Sequence, residues 1–80
     1  MPPGTREVRH FHLSTVQFYF VLSGTAVVLL GDRSLTVTPG YGIEITPLVP
    51  HQMRNDNDTT LEFLVISSRA PRSDRIDLAD

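Results

Sequence analysis

Apolar and polar residues alternate with a period of two along most of this chain. Gln17 to Leu22 reads Gln-Phe-Tyr-Phe-Val-Leu and is bounded by Ser23 and Gly24. Thr25 to Leu30 is followed by the turn-forming Gly31-Asp32-Arg33, and Leu35-Thr36-Val37-Thr38 is closed by Pro39-Gly40. Ile43-Glu44-Ile45-Thr46 alternates again ahead of Pro47 and Pro50, and Leu61 to Ser67 is apolar and rich in strand formers after Asn55-Asp56-Asn57-Asp58. Segments rich in Val, Ile, Thr, Phe and Tyr between turn residues predict strands. Five or six of them follow at short spacing, and no amphipathic helical stretch intervenes. This predicts an all-β fold, an antiparallel sandwich or barrel. Phe18 to Leu22 and Ala26 to Leu30 are apolar on both faces, so they are expected to be covered on both sides, inside by barrel-filling side chains and outside by a partner.

The ends break the pattern. Met1-Pro2-Pro3-Gly4 is too short to be a folded unit, and Arg69 to Asp80 is charged, with Ile76 and Leu78 as its apolar anchors. The reading is a barrel domain over 1–68 and a C-terminal arm over 69–80, lying on the barrel or on a neighbour. At 80 residues the core is thin, and small domains of this kind lean on a metal, disulfides or a second subunit. The chain has no cysteine, which leaves a metal held by imidazole, or oligomerisation. A net charge of −2 with no basic stripe argues against nucleic acid as a partner. No apolar run approaches the roughly 20 residues of a membrane span, and the start lacks a basic-then-apolar leader pattern, so the expectation is a cytoplasmic protein.

Three histidines carry the candidate chemistry. His10 and His12 are two apart in a strand-like segment, and residues i and i+2 of a strand share a face. Gln17 opens the next strand, within reach across a short hairpin, and His51 follows a segment stiffened by Pro47 and Pro50. Three imidazoles and one amide oxygen suit one divalent metal ion such as Zn, Mn, Fe or Ni. All four donors are neutral, so the ion would keep its full charge and act as a strong Lewis acid.

These positions resemble the cupin family. Its first motif runs Gly-x5-His-x-His, then a glutamate after three or four residues, then x6-Gly. Here Gly4, His10, His12 and Gly24 hold their places, and Gln17 stands at the glutamate. In the second motif Gly40, His51 and Asn55 match, whereas Thr46 replaces a proline and Leu48 a glycine. Thr25 to Pro39 separate the motifs, the short spacing of small bacterial cupins. The resemblance implies a minimal double-stranded β-helix, or jelly roll, with His10, His12, Gln17 and His51 as metal ligands. Family members carry more strands before the first motif than the nine residues ahead of His10 would supply, so one side of this barrel is expected to lack cover and to pair into a homodimer.

The resemblance leaves the function open between classes. With glutamine in place of glutamate, the donor set is similar to that of uronate-processing cupins and a polyketide cyclase, which move protons without oxidation. The first expectation is therefore an enzyme acting on a small polar or carbonyl compound. A non-catalytic small-molecule-binding or sensor cupin is the alternative, and a cupin dioxygenase the second alternative. Tyr19 shares the parity of Gln17 and is a candidate for proton transfer if it lines the cavity, and a core tyrosine otherwise. Glu44 is a candidate general base if Ile43 and Ile45 pack outside the barrel, and a solvated residue if they fill it.

Overall fold

The computed structural model describes residues 1–68 and 74–78. The alternating segments form strands His10–His12 (β1), Gln17–Ser23 (β2), Ala26–Leu30 (β3), Arg33–Val37 (β4), Gly42–Ile45 (β5), His51–Arg54 (β6), Glu62–Ser67 (β7) and Arg75–Asp77 (β8). They make two facing antiparallel sheets, a five-stranded one in the order β4-β3-β6-β1-β8 and a three-stranded one in the order β5-β2-β7. Among the described residues there is no α-helix, and the architecture is an all-β jelly roll.

Register decides which face each residue shows. Leu30 pairs with His51 and Val28 with Met53 between β3 and β6, and His10 pairs with His51 between β1 and β6. Opposite residues share a face, so the three histidines point inward with Val28 and Met53. In the other sheet Gln17 pairs with Ile45 and Tyr19 with Ile43, which sets these four on one face. Tyr19, Val21, Ala26, Val28, Val37, Ile45, Met53 and Leu61 form the buried core between the sheets. Phe18 and Phe20 lie on the reverse side, opposite Ile66 and Leu64 of β7.

Glycine is demanded at the β2–β3 turn. Gly24 has φ +81°, and a Cβ there would come within 2.7 Å of the Thr60 carbonyl oxygen. At Leu48 the chain adopts the left-handed region, φ 70°, without a glycine. That residue stands where the second motif has its glycine, the residue type best suited to this region. Asn55 is fully buried and holds backbone, its Nδ2 donating to the carbonyls of Met1 (3.0 Å) and Thr59 (2.8 Å).

The expected boundary between barrel and arm falls beside 69–73, which lies outside the described residues. Within 74–78, β8 is a strand of the larger sheet. His10 faces Asp77, Phe11 faces Ile76 and His12 faces Arg75, and the Leu78 N–H donates to the Arg9 carbonyl at 2.8 Å. The edge of β1 is thus covered from later in the same chain.

Candidate metal centre

Each histidine ring is held by its Nδ1. His10 Nδ1 lies 2.7 Å from the Val8 carbonyl oxygen, and His51 Nδ1 lies 3.0 Å from that of Val49. A carbonyl can only accept, so in the neutral ring Nδ1 carries the hydrogen and Nε2 presents its lone pair. His12 Nδ1 lies 3.4 Å from a carboxylate oxygen of Asp74, which favours the same tautomer. One nitrogen from each ring lies within 4.8 Å of the other two. His10 and His51 are fully buried, with ring centroids 4.2 Å apart. Burial, aided by the two neighbouring imidazoles, lowers the His51 pKa to about 4 against the pull of its bond to Val49. At neutral pH that ring is uncharged, the form that ligates a metal.

Two contacts bear on whether the cluster fits a cation. His12 Nε2 is buried without a hydrogen-bond partner, and a buried polar atom left unpaired is costly. Gln17 Oε1 faces His51 Nε2 at 3.2 Å while the Gln17 Nε2 donates to the Ser67 hydroxyl at 3.1 Å. With His51 Nδ1 protonated, that places two lone pairs toward each other. A cation between them removes the conflict, and so does turning the amide over so that its NH2 donates to His51. The structure thus brings His10, His12, Gln17 and His51 together.

Tyr19 is both a core residue and a wall of this cluster. Its ring centroid is 6.0 Å from that of His51 and 6.1 Å from that of Phe63. Its hydroxyl makes long contacts, 3.4 Å each, to Gln17 Oε1 and Glu7 Oε1. Burial, then the nearby Glu7 carboxylate, pushes its pKa well above the usual phenol range. It is therefore a protonated donor at any physiological pH. Glu44 does not join the cluster. It pairs with Phe18, while Ile43 and Ile45 occupy the inner face, so its carboxylate is solvent-exposed on the outside.

Two carboxylates near the site were not singled out from sequence. Glu7 accepts the Met53 N–H at 3.0 Å beside the Tyr19 hydroxyl. Asp74 is buried and accepts hydrogen bonds from the backbone and hydroxyl of both Ser14 and Thr15. Hydrogen bonds from Thr15 above all, and then Ser14, hold its pKa at about 2 against the cost of burial. Glu7 shares the odd-numbered parity of Gln17 and Tyr19 but sits outside any regular strand. Asp74 carries no local signal at all.

The pattern that defines the cupin domain matches residues 1–67. The chain belongs to the cupin family. Among curated proteins, this cupin is 28% identical over 67 residues to an uncharacterised protein of Methanocaldococcus jannaschii, covering 84% of this chain and 54% of that one. It thus spans about half the length of the curated relative that it matches. Among solved structures, a protein of Thermus thermophilus superposes with a TM-score of 0.83 at 27% identity, over 89% of this chain and 68% of the other. A cupin-superfamily sugar phosphate isomerase from Silicibacter pomeroyi gives a TM-score of 0.80 at 28% identity, over 89% and 47%. An oxalate decarboxylase from Lactobacillus farciminis, with a TM-score of 0.82 at 22% identity over 98% of this chain and 24% of that one, shares the fold. No helix among the described residues is long and apolar enough to cross a membrane.

Proposed function

We propose that His10, His12, Gln17 and His51 hold one divalent metal ion and that this cupin acts on a small polar carbonyl compound of sugar, uronate or polyketide type, by proton transfer or isomerisation. The observation that carries this is the convergence of three imidazole nitrogens within 4.8 Å, one of them buried and unpartnered. A bound cation would supply Lewis-acid polarisation of the substrate carbonyl. The chain supplies the rest. Val8, Val49 and Asp74 orient the rings, and the apolar core packs beside them. On this reading Tyr19, kept protonated, donates a proton or a hydrogen bond to an oxygen bound beside Gln17, which its 3.4 Å contact with Gln17 Oε1 supports. Likeness to a sugar phosphate isomerase supports isomerisation over oxidation, as does a donor set without a carboxylate.

One observation favours a non-catalytic binding cupin instead. Glu7 and Asp74, the carboxylates beside the cluster, already accept hydrogen bonds from the protein, so neither is a free base. A second copy of the chain is proposed to cover the outer face of the smaller sheet, where Phe18, Leu64 and Ile66 are exposed. Sedimentation of wild type and Ile66→Lys tests this. A dimer that the substitution dissociates supports it, and a wild-type monomer overturns it.

The test of the centre is elemental analysis of protein purified without added metal, wild type beside His51→Ala. Near-stoichiometric Zn, Mn, Fe or Ni in wild type and its loss in the variant is the expected result. Failure of wild type to retain any of these ions after incubation overturns the reading. Tyr19→Phe then separates enzyme from binder, because it should abolish turnover and leave metal content intact.

A further inference from the structure

We infer that Asp74 is a positioning residue for the metal centre and that docking of residues 74–78 onto the barrel and metal binding reinforce each other. This rests on the four-ligand reading above. It adds a residue that lies beyond 1–67, the span matched by the cupin pattern.

The three rings are not held alike. His10 and His51 are oriented by carbonyls two residues away in their own segments, Val8 and Val49. His12 has no such partner. Among the described residues its Nδ1 meets only the Asp74 carboxylate, at 3.4 Å and 62 positions along the chain, and its Nε2 is buried and unpartnered. The nearby negative charge favours the hydrogen on Nδ1, which leaves the Nε2 lone pair for the face shared with His10 and His51. A carboxylate behind an imidazole also makes it a better donor to a cation.

Asp74 is itself fixed. Its Oδ1 accepts from the Ser14 N–H (2.8 Å) and hydroxyl (3.0 Å), and its Oδ2 from the Thr15 N–H (3.0 Å) and hydroxyl. The Asp74 carbonyl takes the Leu13 N–H at 3.0 Å, and β8 then pairs along β1. The turn after His12 is therefore folded around a side chain from the segment that it receives. Since β8 is solvent-exposed over its three residues, little apolar burial holds it. Backbone pairing with β1 and the Asp74 contacts with His12 and the turn are what dock it. Any ligand that selects the oriented His12 must by linkage strengthen that docking, and the reverse.

The experiment titrates Zn2+ against a competing chelator in wild type, Asp74→Asn, His12→Ala and the double variant, and follows amide hydrogen exchange across 74–78 with and without Zn2+. Asp74→Asn should weaken Zn2+ binding by roughly 10- to 100-fold yet change nothing further in the His12→Ala background. Zn2+ should slow exchange at Leu78 in wild type and do so much less in either single variant. Circular dichroism at the titration temperature reports whether each variant is folded. Ser14→Ala, which removes one cap bond and spares the carboxylate, controls for loss of stability alone. If Asp74→Asn binds Zn2+ like wild type while His12→Ala does not, or if Ser14→Ala weakens binding as much as Asp74→Asn, the inference falls and the four-ligand centre stands. If wild type itself takes up no Zn2+, Mn2+, Fe2+ or Ni2+, both fall.

Discussion

The two ends of the barrel interior are lined by the same strands and are opposite in character. At one end Val21, Ala26, Val28, Met53 and Leu61 are wholly buried against one another. At the other, β2 contributes Gln17 instead of Val21, and β6 contributes His51 instead of Met53. The apolar end gains free energy from every atom it removes from water. The polar end buries imidazoles whose inward lone pairs face one another and one amide, His12 Nε2 among them without a hydrogen-bond partner. This fold therefore separates its apolar core from its imidazole cluster by four residues along β2 and two along β6.

The greatest loss should follow a cut at the apolar end. Leu61→Ala removes a fully buried side chain and should cost about 2–5 kcal/mol, a large share of the roughly 5–15 kcal/mol typical of a domain. Urea denaturation measures this, and metal affinity of the folded fraction should not change. An equal loss of affinity would show that the two ends are not independent.

Next in size is the metal itself. Zn2+ at 100 times its dissociation constant should add about 2.7 kcal/mol, a rise in Tm of roughly 10–20 °C for so small a domain, read by differential scanning calorimetry. The same addition to His51→Ala should do almost nothing.

Acid sets the ends further apart in the metal-free protein. His51 titrates near pH 4 in the folded state and near 6.5 once unfolded, so between these values the unfolded chain binds the extra proton. Stability should therefore fall as pH drops from about 6.5 to 4, by on the order of 2 kcal/mol from this group. His51→Ala should flatten that part of the urea-midpoint profile. Asp74 acts lower, its contribution being lost as pH falls from the ordinary carboxylate range toward 2.

The mildest change is at Leu48, an exposed residue held at φ 70° beside the polar end. Leu48→Gly should relieve about 1 kcal/mol of backbone strain, visible as a higher urea midpoint with metal binding retained.

What could be read from the sequence was whatever depends on spacing. Period-two alternation located β2 to β5 and β7 but not β6, whose His-Gln-Met-Arg lacks strand formers, and parity aligned His10 with His12 and Gln17 with Tyr19. Parity cannot say which face is inside, so Glu44 stayed ambiguous until the pairing of Ile43 with Tyr19 turned it outward. β8 went unread as a strand because Arg75-Ile76-Asp77 is short and mostly charged and gains its place from β1 alone. Asp74 and Glu7 act across sequence separations of 60 and 46 residues, to Ser14 and Met53, which no local pattern records.

Because β1 lies between β6 and β8, the order of synthesis matters. His10 and His12 leave the ribosome ahead of their strand partners, His51, about 40 positions later, and Arg75 to Asp77, about 65 positions later. At elongation rates of roughly 5–20 residues per second, β1 waits several seconds with an open edge. The strand that carries two of the three imidazoles is translated before both of its partners and enclosed after them, so the His12 ring meets Asp74 only once translation has passed β8.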